Sequence, residues 1–129
     1  MKFDLIDRVL DRDETSLSAV KNVSAAEEYL GDHFPGFPIL PGVMMLETLA
    51  QAGRHFAADA EDPPQRPLVI SEVRNLRYGG MVRPGESLNV QVTLRKRDGH
   101  VYDFQGAGKV GDQIAVQGRF QLSPMTDSP

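Results

Sequence analysis

The sequence predicts an α+β domain: one long buried helix covered by an antiparallel sheet of five to six strands. Three observations carry this. Between Val43 and Ala57 the apolar residues go almost all round a helical cylinder, which marks a helix buried on more than one side. From Ser87 onward, apolar and polar residues alternate at period two, as in Leu88, Val90, Val92 and Leu94. Asp98-Gly99 and Gly111-Asp112 then punctuate the second half at hairpin spacing.

The elements follow in order. Leu5 to Leu10 and Leu17 to Val23 read as short strands around the polar turn Asp11 to Glu14. Ser24-Ala25-Ala26-Glu27 has the form of a capping box, so Ala25 to Leu30 is expected to make a turn or two of helix. His33 to Gly42 holds three prolines and two glycines among apolar residues, the pattern of a stiff, ordered loop. Pro41-Gly42 opens the long helix, which runs to about Ala58, and Glu61 to Gln65 ends it. Strands are expected over Pro67 to Leu76, Ser87 to Arg97, His100 to Val110 and Gln113 to Leu122. Residues 1–122 thus form a single domain, and 123–129 a flexible polar tail. A sheet covers such a helix on one side only, so a symmetric dimer is the expected cover for the other.

The chain has 129 residues, enough for one domain with one core. It has no cysteine, which excludes a disulfide framework, a zinc-thiolate site and a thiol nucleophile. The first ten residues carry Asp4, Asp7 and Arg8, so no signal peptide is expected, and no apolar run approaches a membrane span. The expected address is the cytoplasm. Net charge is −4, but residues 1–62 hold 12 acids and 5 bases while residues 63–129 hold 6 acids and 9 bases. Arg74, Arg77, Arg83, Arg95, Lys96 and Arg97 cluster in sequence, either as solvated strand faces or as a surface for an acidic partner. Nothing points to nucleic acid.

Glu47 stands near the start of the apolar helix, where an unpaired carboxylate is costly. Gln51 at i+4 and Arg54 at i+7 share its stripe, so either a satisfied structural acid or a reactive one fits. His33, taken alone, reads as an ordinary loop histidine. The proline-stiffened loop, however, runs from it directly into the helix bearing Glu47, and rigid placement of a histidine near an acid suits general acid–base work. The N–H groups of Gly42 and Val43, at a helix N-terminus, are candidates to bind a developing oxyanion.

The stretch from His33 to Ala52, HFPGFPILPGVMMLETLAQA, resembles the active-site segment of the β-hydroxyacyl-acyl-carrier-protein dehydratases of type II fatty acid synthesis, whose pattern is HFPGxPxxPGVxxxExxAQ. The resemblance continues more weakly through Asn75 to Glu86 and the final hairpin. It implies a hot-dog fold, with the sheet wrapped around the helix, and a dimer or a hexamer of three dimers. It implies an active site at the dimer interface, with the histidine from one subunit and the glutamate from the other. It implies that His33 abstracts the α-proton of a (3R)-hydroxyacyl thioester and that Glu47 protonates the departing β-hydroxyl. Gly42 would polarise the thioester carbonyl, Gln51 would orient Glu47, and no metal or redox cofactor would be needed. Phe37, Tyr78, Met81 and Phe104 are candidates to close the acyl tunnel, and acyl carrier protein becomes the acidic partner. Glutamate rather than aspartate at position 47 matches the simple dehydratases, not the dehydratase/isomerases. Two places depart from the pattern: Asp32 precedes His33 where glycine is common, and Arg54 stands where glycine usually follows a small residue. Two rival functions use the same kind of fold, a hot-dog acyl thioesterase and a non-catalytic acyl-carrier-binding subunit.

Overall fold

The computed structural model describes residues 5–23, 40–60 and 67–125. The expected short helix at Ala25 to Leu30, the loop bearing Asp32, His33 and Phe37, and residues 126–129 lie outside the described residues. Six strands form one antiparallel sheet: β1 (Arg8–Arg12), β2 (Ser16–Asn22), β3 (Leu68–Tyr78), β4 (Ser87–Asp98), β5 (Val101–Val110) and β6 (Gln113–Pro124). Helix α1 (Gly42–Ala60) lies between β2 and β3 in the chain. The order across the sheet is β1-β2-β4-β5-β6-β3, with the β4-β5-β6 meander at its centre. Helix α1 packs on β2 through β6, the hot-dog arrangement. Among the described residues no helix is long and apolar enough to cross a membrane.

Alternation builds the core. Leu88, Val90 and Val92 on β4, Tyr102 and Phe104 on β5, and Phe120 and Leu122 on β6 all point to the helix side and are buried. Met45, Leu49, Ala52 and Phe56 of α1 meet them. Phe104 is the hub: it stacks on Tyr102 and Phe120 and meets Phe56 edge to face at 5.7 Å between centroids. Gly53 lets the helix come this close, because a Cβ there would lie 3.0 Å from both Phe104 and Leu122. The opposite side of α1 is not covered by the sheet. Val43 is 66% exposed, and Leu46 and Glu47 are half-buried.

Element ends differ from expectation for identifiable reasons. β1 begins at Arg8 rather than Leu5. Leu5 and Ile6 are buried, but the Leu5 N–H donates to Gln51 Oε1 of α1 at 2.7 Å, so this backbone donor serves the helix and not a strand ladder. β3 runs on to Tyr78 through two bulges, and Asn75 sits in the second with φ 55°. Asparagine tolerates that left-handed backbone, and bulges are common on an edge strand such as β3. β6 passes the expected Leu122 boundary: Ser123 and Pro124 pair with β3, and the Met125 N–H bonds the Pro67 carbonyl at 2.8 Å. The tail therefore does not begin at 123. The β4–β5 turn is Gly99-His100, one residue later than expected, since Asp98 pairs with Val101 and Gly99 takes the positive φ. In the β1–β2 turn, Asp13 accepts the N–H groups of Thr15 and Ser16, which hold its carboxyl below the usual carboxylate range.

Arg12 closes the other end of the helix. Its Nη1 donates to the Phe56 carbonyl at 3.1 Å and to Asp59 at 3.0 Å, and its guanidinium lies 4.4 Å from the centroid of the Phe56 ring. A cation at a helix C-terminus and over an aromatic face is stabilising on both counts. Arg12→Ala is expected to cost about 1 kcal/mol, because each such contact is worth about 0.5–1 kcal/mol at a partly exposed site. Chemical denaturation of the two proteins measures this; an unchanged midpoint would mean these contacts add nothing.

Candidate active site

The site is built where α1 begins. Leu40 is tied to the segment after β3 by its N–H to the Val82 carbonyl at 2.8 Å. Pro41 fixes the backbone for entry into the helix, and its carbonyl accepts the N–H groups of Met44 and Met45 at 3.0 and 3.1 Å. Gly42 and Val43 are the first helical residues, so their N–H groups lie ahead of the first i→i−4 partners, at the positive end of the helix dipole. The Tyr78 ring covers Gly42: a Cβ at Gly42 would stand 3.0 Å from Tyr78 Cζ. The space left by the missing side chain is thus taken by the hydroxyl end of an aromatic ring, and burial pushes the Tyr78 phenol up in pKa.

Glu47 lies on the next turn of the helix. Its side chain is 34% exposed, not sealed as an apolar helix implied, because the sheet packs on the other side of the helix. Arg54 Nη1 donates to Glu47 Oε2 at 2.8 Å, and Arg54 Nε donates to the Leu68 carbonyl at 2.7 Å. Gln51, expected to orient Glu47, uses its Oε1 to accept the Leu5 N–H. Thr48 satisfies itself by donating to the Met44 carbonyl at 2.7 Å.

The expected site residues thus fall into four groups. Gly42, Val43, Glu47 and Tyr78 come together around the first turns of α1, with Gln51 one turn further on. Met81 is 45% exposed in the segment after β3. Phe104 is fully buried in the aromatic core, whereas Tyr78 and Met81 are exposed. His33 and Phe37 lie outside the described residues. The basic residues clustered in sequence are split by the sheet, since Arg74 and Arg77 on β3 are separated from Arg95, Lys96 and Arg97 on β4 by two strands. Three contacts were not legible in the sequence: the Tyr78 ring over Gly42, the bond from Arg54 to the Leu68 carbonyl and the Leu5 N–H on Gln51.

Proteins similar in sequence and in fold point to one family. The FabA-like domain family model matches residues 1–119. The 3-hydroxyacyl-[acyl-carrier-protein] dehydratase FabZ of Verminephrobacter eiseniae is 36% identical over 119 residues, covering 89% of this chain and 79% of that protein. FabZ of Campylobacter hominis is 34% identical, covering 95% and 88%. Among solved structures, the dehydratase heterocomplex ApeI:P from Xenorhabdus doucetiae superposes with a TM-score of 0.77 at 21% identity, covering 96% of this chain and 84% of that one. The fluoroacetyl-CoA thioesterase FlK gives 0.74 at 14% identity, covering 89% and 90%; these likenesses are of fold. With a family model spanning nearly the whole chain and relatives above 30% identity over most of their length, the chain belongs to the FabA-like family.

Proposed function

We propose that this protein dehydrates (3R)-3-hydroxyacyl-acyl-carrier-protein to trans-2-enoyl-acyl-carrier-protein, with His33 as base and Glu47 as acid. The observation that supports it most is the match to FabZ dehydratases along nearly the whole chain, with the HFPG loop leading into α1 and Glu47 on that helix's open face. His33 takes the α-proton, and the freed electron pair forms the Cα–Cβ double bond. The β-hydroxyl leaves with a proton from Glu47 as water. The Gly42 and Val43 N–H groups offset negative charge building on the thioester oxygen. His33 then returns its proton through solvent and Glu47 regains one, which closes the cycle.

The working unit is a homodimer, with three dimers able to assemble into a hexamer. The half-open face of α1, with exposed Val43 and half-buried Met44, Leu46 and Glu47, is the surface a second copy would cover. His33 of one subunit would then meet Glu47 of the other. Acyl carrier protein delivers the acyl chain on its phosphopantetheine, and the split basic residues on β3 and β4 are candidates for its docking.

Hydration of a crotonyl thioester, the reverse reaction, tests the assignment. His33→Ala is expected to lower kcat about 10²–10⁴-fold, the usual contribution of a general base. Thiol release from a saturated acyl thioester separates the thioesterase alternative: hydrolysis without hydration would refute the dehydratase reading. Tight binding to acyl-carrier-linked substrate without any turnover would instead mark a non-catalytic subunit.

A further inference from the structure

Arg54 lies seven residues after Glu47, two turns along one face of α1. Its guanidinium makes two directed bonds at once, from Nη1 to Glu47 Oε2 at 2.8 Å and from Nε to the Leu68 carbonyl at 2.7 Å. Leu68 is the first residue of edge strand β3. One planar group therefore joins the helix that carries Glu47 to the sheet. A guanidinium is a rigid fork, so pinning Nε on a backbone carbonyl also fixes the direction in which Nη1 points. Glutamate has three side-chain torsions and, when partly exposed, samples many rotamers. Here Oε2 is held by Arg54, and among the described residues no other hydrogen bond to the carboxylate is seen.

We propose that Arg54 is a positioning residue for Glu47: it anchors Oε2 against β3 and leaves Oε1 as the oxygen that meets the substrate hydroxyl. This rests on the reading of Glu47 as the acid. Glycine at position 54, the residue the family pattern has there, would leave the carboxylate without this clamp. Arg54 reaches the reaction only through Glu47, so its loss acts on turnover and not on substrate capture.

The experiment compares wild type, Arg54→Met, Arg54→Lys, Glu47→Gln and the double variant Glu47→Gln/Arg54→Met in hydration of crotonyl-CoA, reading kcat and KM separately. Methionine keeps a long apolar stem and removes every donor. Arg54→Met is expected to lower kcat about tenfold with KM within about twofold, since small misplacement of a reacting group costs up to about 10²-fold. Arg54→Lys keeps the cation without the fork and is expected to lose only about threefold. The double variant should be no slower than Glu47→Gln alone, because nothing remains to be positioned. Unchanged kcat in Arg54→Met beside a dead Glu47→Gln overturns the proposal. So does an effect on KM alone, or a double variant slower than Glu47→Gln. Full rate in Glu47→Gln would overturn the role of Glu47 itself instead. Should Arg54→Met melt below the assay temperature, Arg54→Lys decides on the same split: lower kcat at constant KM supports the clamp, and unchanged kcat removes it.

Discussion

Glu47→Gln is expected to reduce kcat for dehydration about 10²–10⁴-fold while leaving the fold intact. The amide has the size of the carboxylic acid but delivers no proton to a leaving hydroxyl. The variant also leaves Arg54 without its ionic partner. That loss is small for stability: the two side chains are 34% and 31% exposed, water replaces the missing oxygen, and exposed pairs are worth about 0–1 kcal/mol. Arg54 moreover keeps its bond to the Leu68 carbonyl. Steady-state rates and thermal melting on the same preparation separate the two effects. A variant that melts like wild type and turns over at full rate would remove Glu47 from the mechanism.

Phe104→Ala is expected to destabilise the protein by about 3–5 kcal/mol, the range for deleting a buried aromatic side chain. Phe104 is 0% exposed and touches three other aromatic rings. Its ring also fills the space beside Gly53. Phe104 thus stands at the junction of helix and sheet, where its removal leaves a void. Against a typical total of about 5–15 kcal/mol, such a loss leaves a marginal domain. Urea denaturation measures it directly. A loss below about 1 kcal/mol would show that the core collapses around the void. Activity per folded molecule is expected to survive, because Phe104 sits in the core and not on the face that carries Glu47. A large change in acyl-length preference would restore it as a tunnel residue.

Much of this was legible in the chain alone. The period-two alternation of Leu88 to Leu94 and the apolar wheel of Val43 to Ala57 located the strands and the helix to within a few residues. Local backbone geometry sets both periods, so they need no knowledge of partners. The motif from His33 to Gln51 carried the family, because it is one continuous stretch. The charge cost of a carboxylate in an apolar helix singled out Glu47 before any geometry was known.

The rest depended on residues far apart in sequence. Gln51 accepts from Leu5, 46 residues away, a partner that spacing along the helix does not reveal. Phe104 is one aromatic among several in the sequence, and only sheet order sets it beside Phe120 and against Phe56. The basic cluster dissolves once two strands come between β3 and β4. Bulges, which shift register by single residues, carried β3 on to Tyr78, whose ring lies over Gly42. The sequence by itself determined the family and the buried helix, and it singled out Glu47 on that helix. Only the tertiary structure decided which groups touch that acid, because strand order and register, not spacing along the chain, choose the neighbours of a side chain.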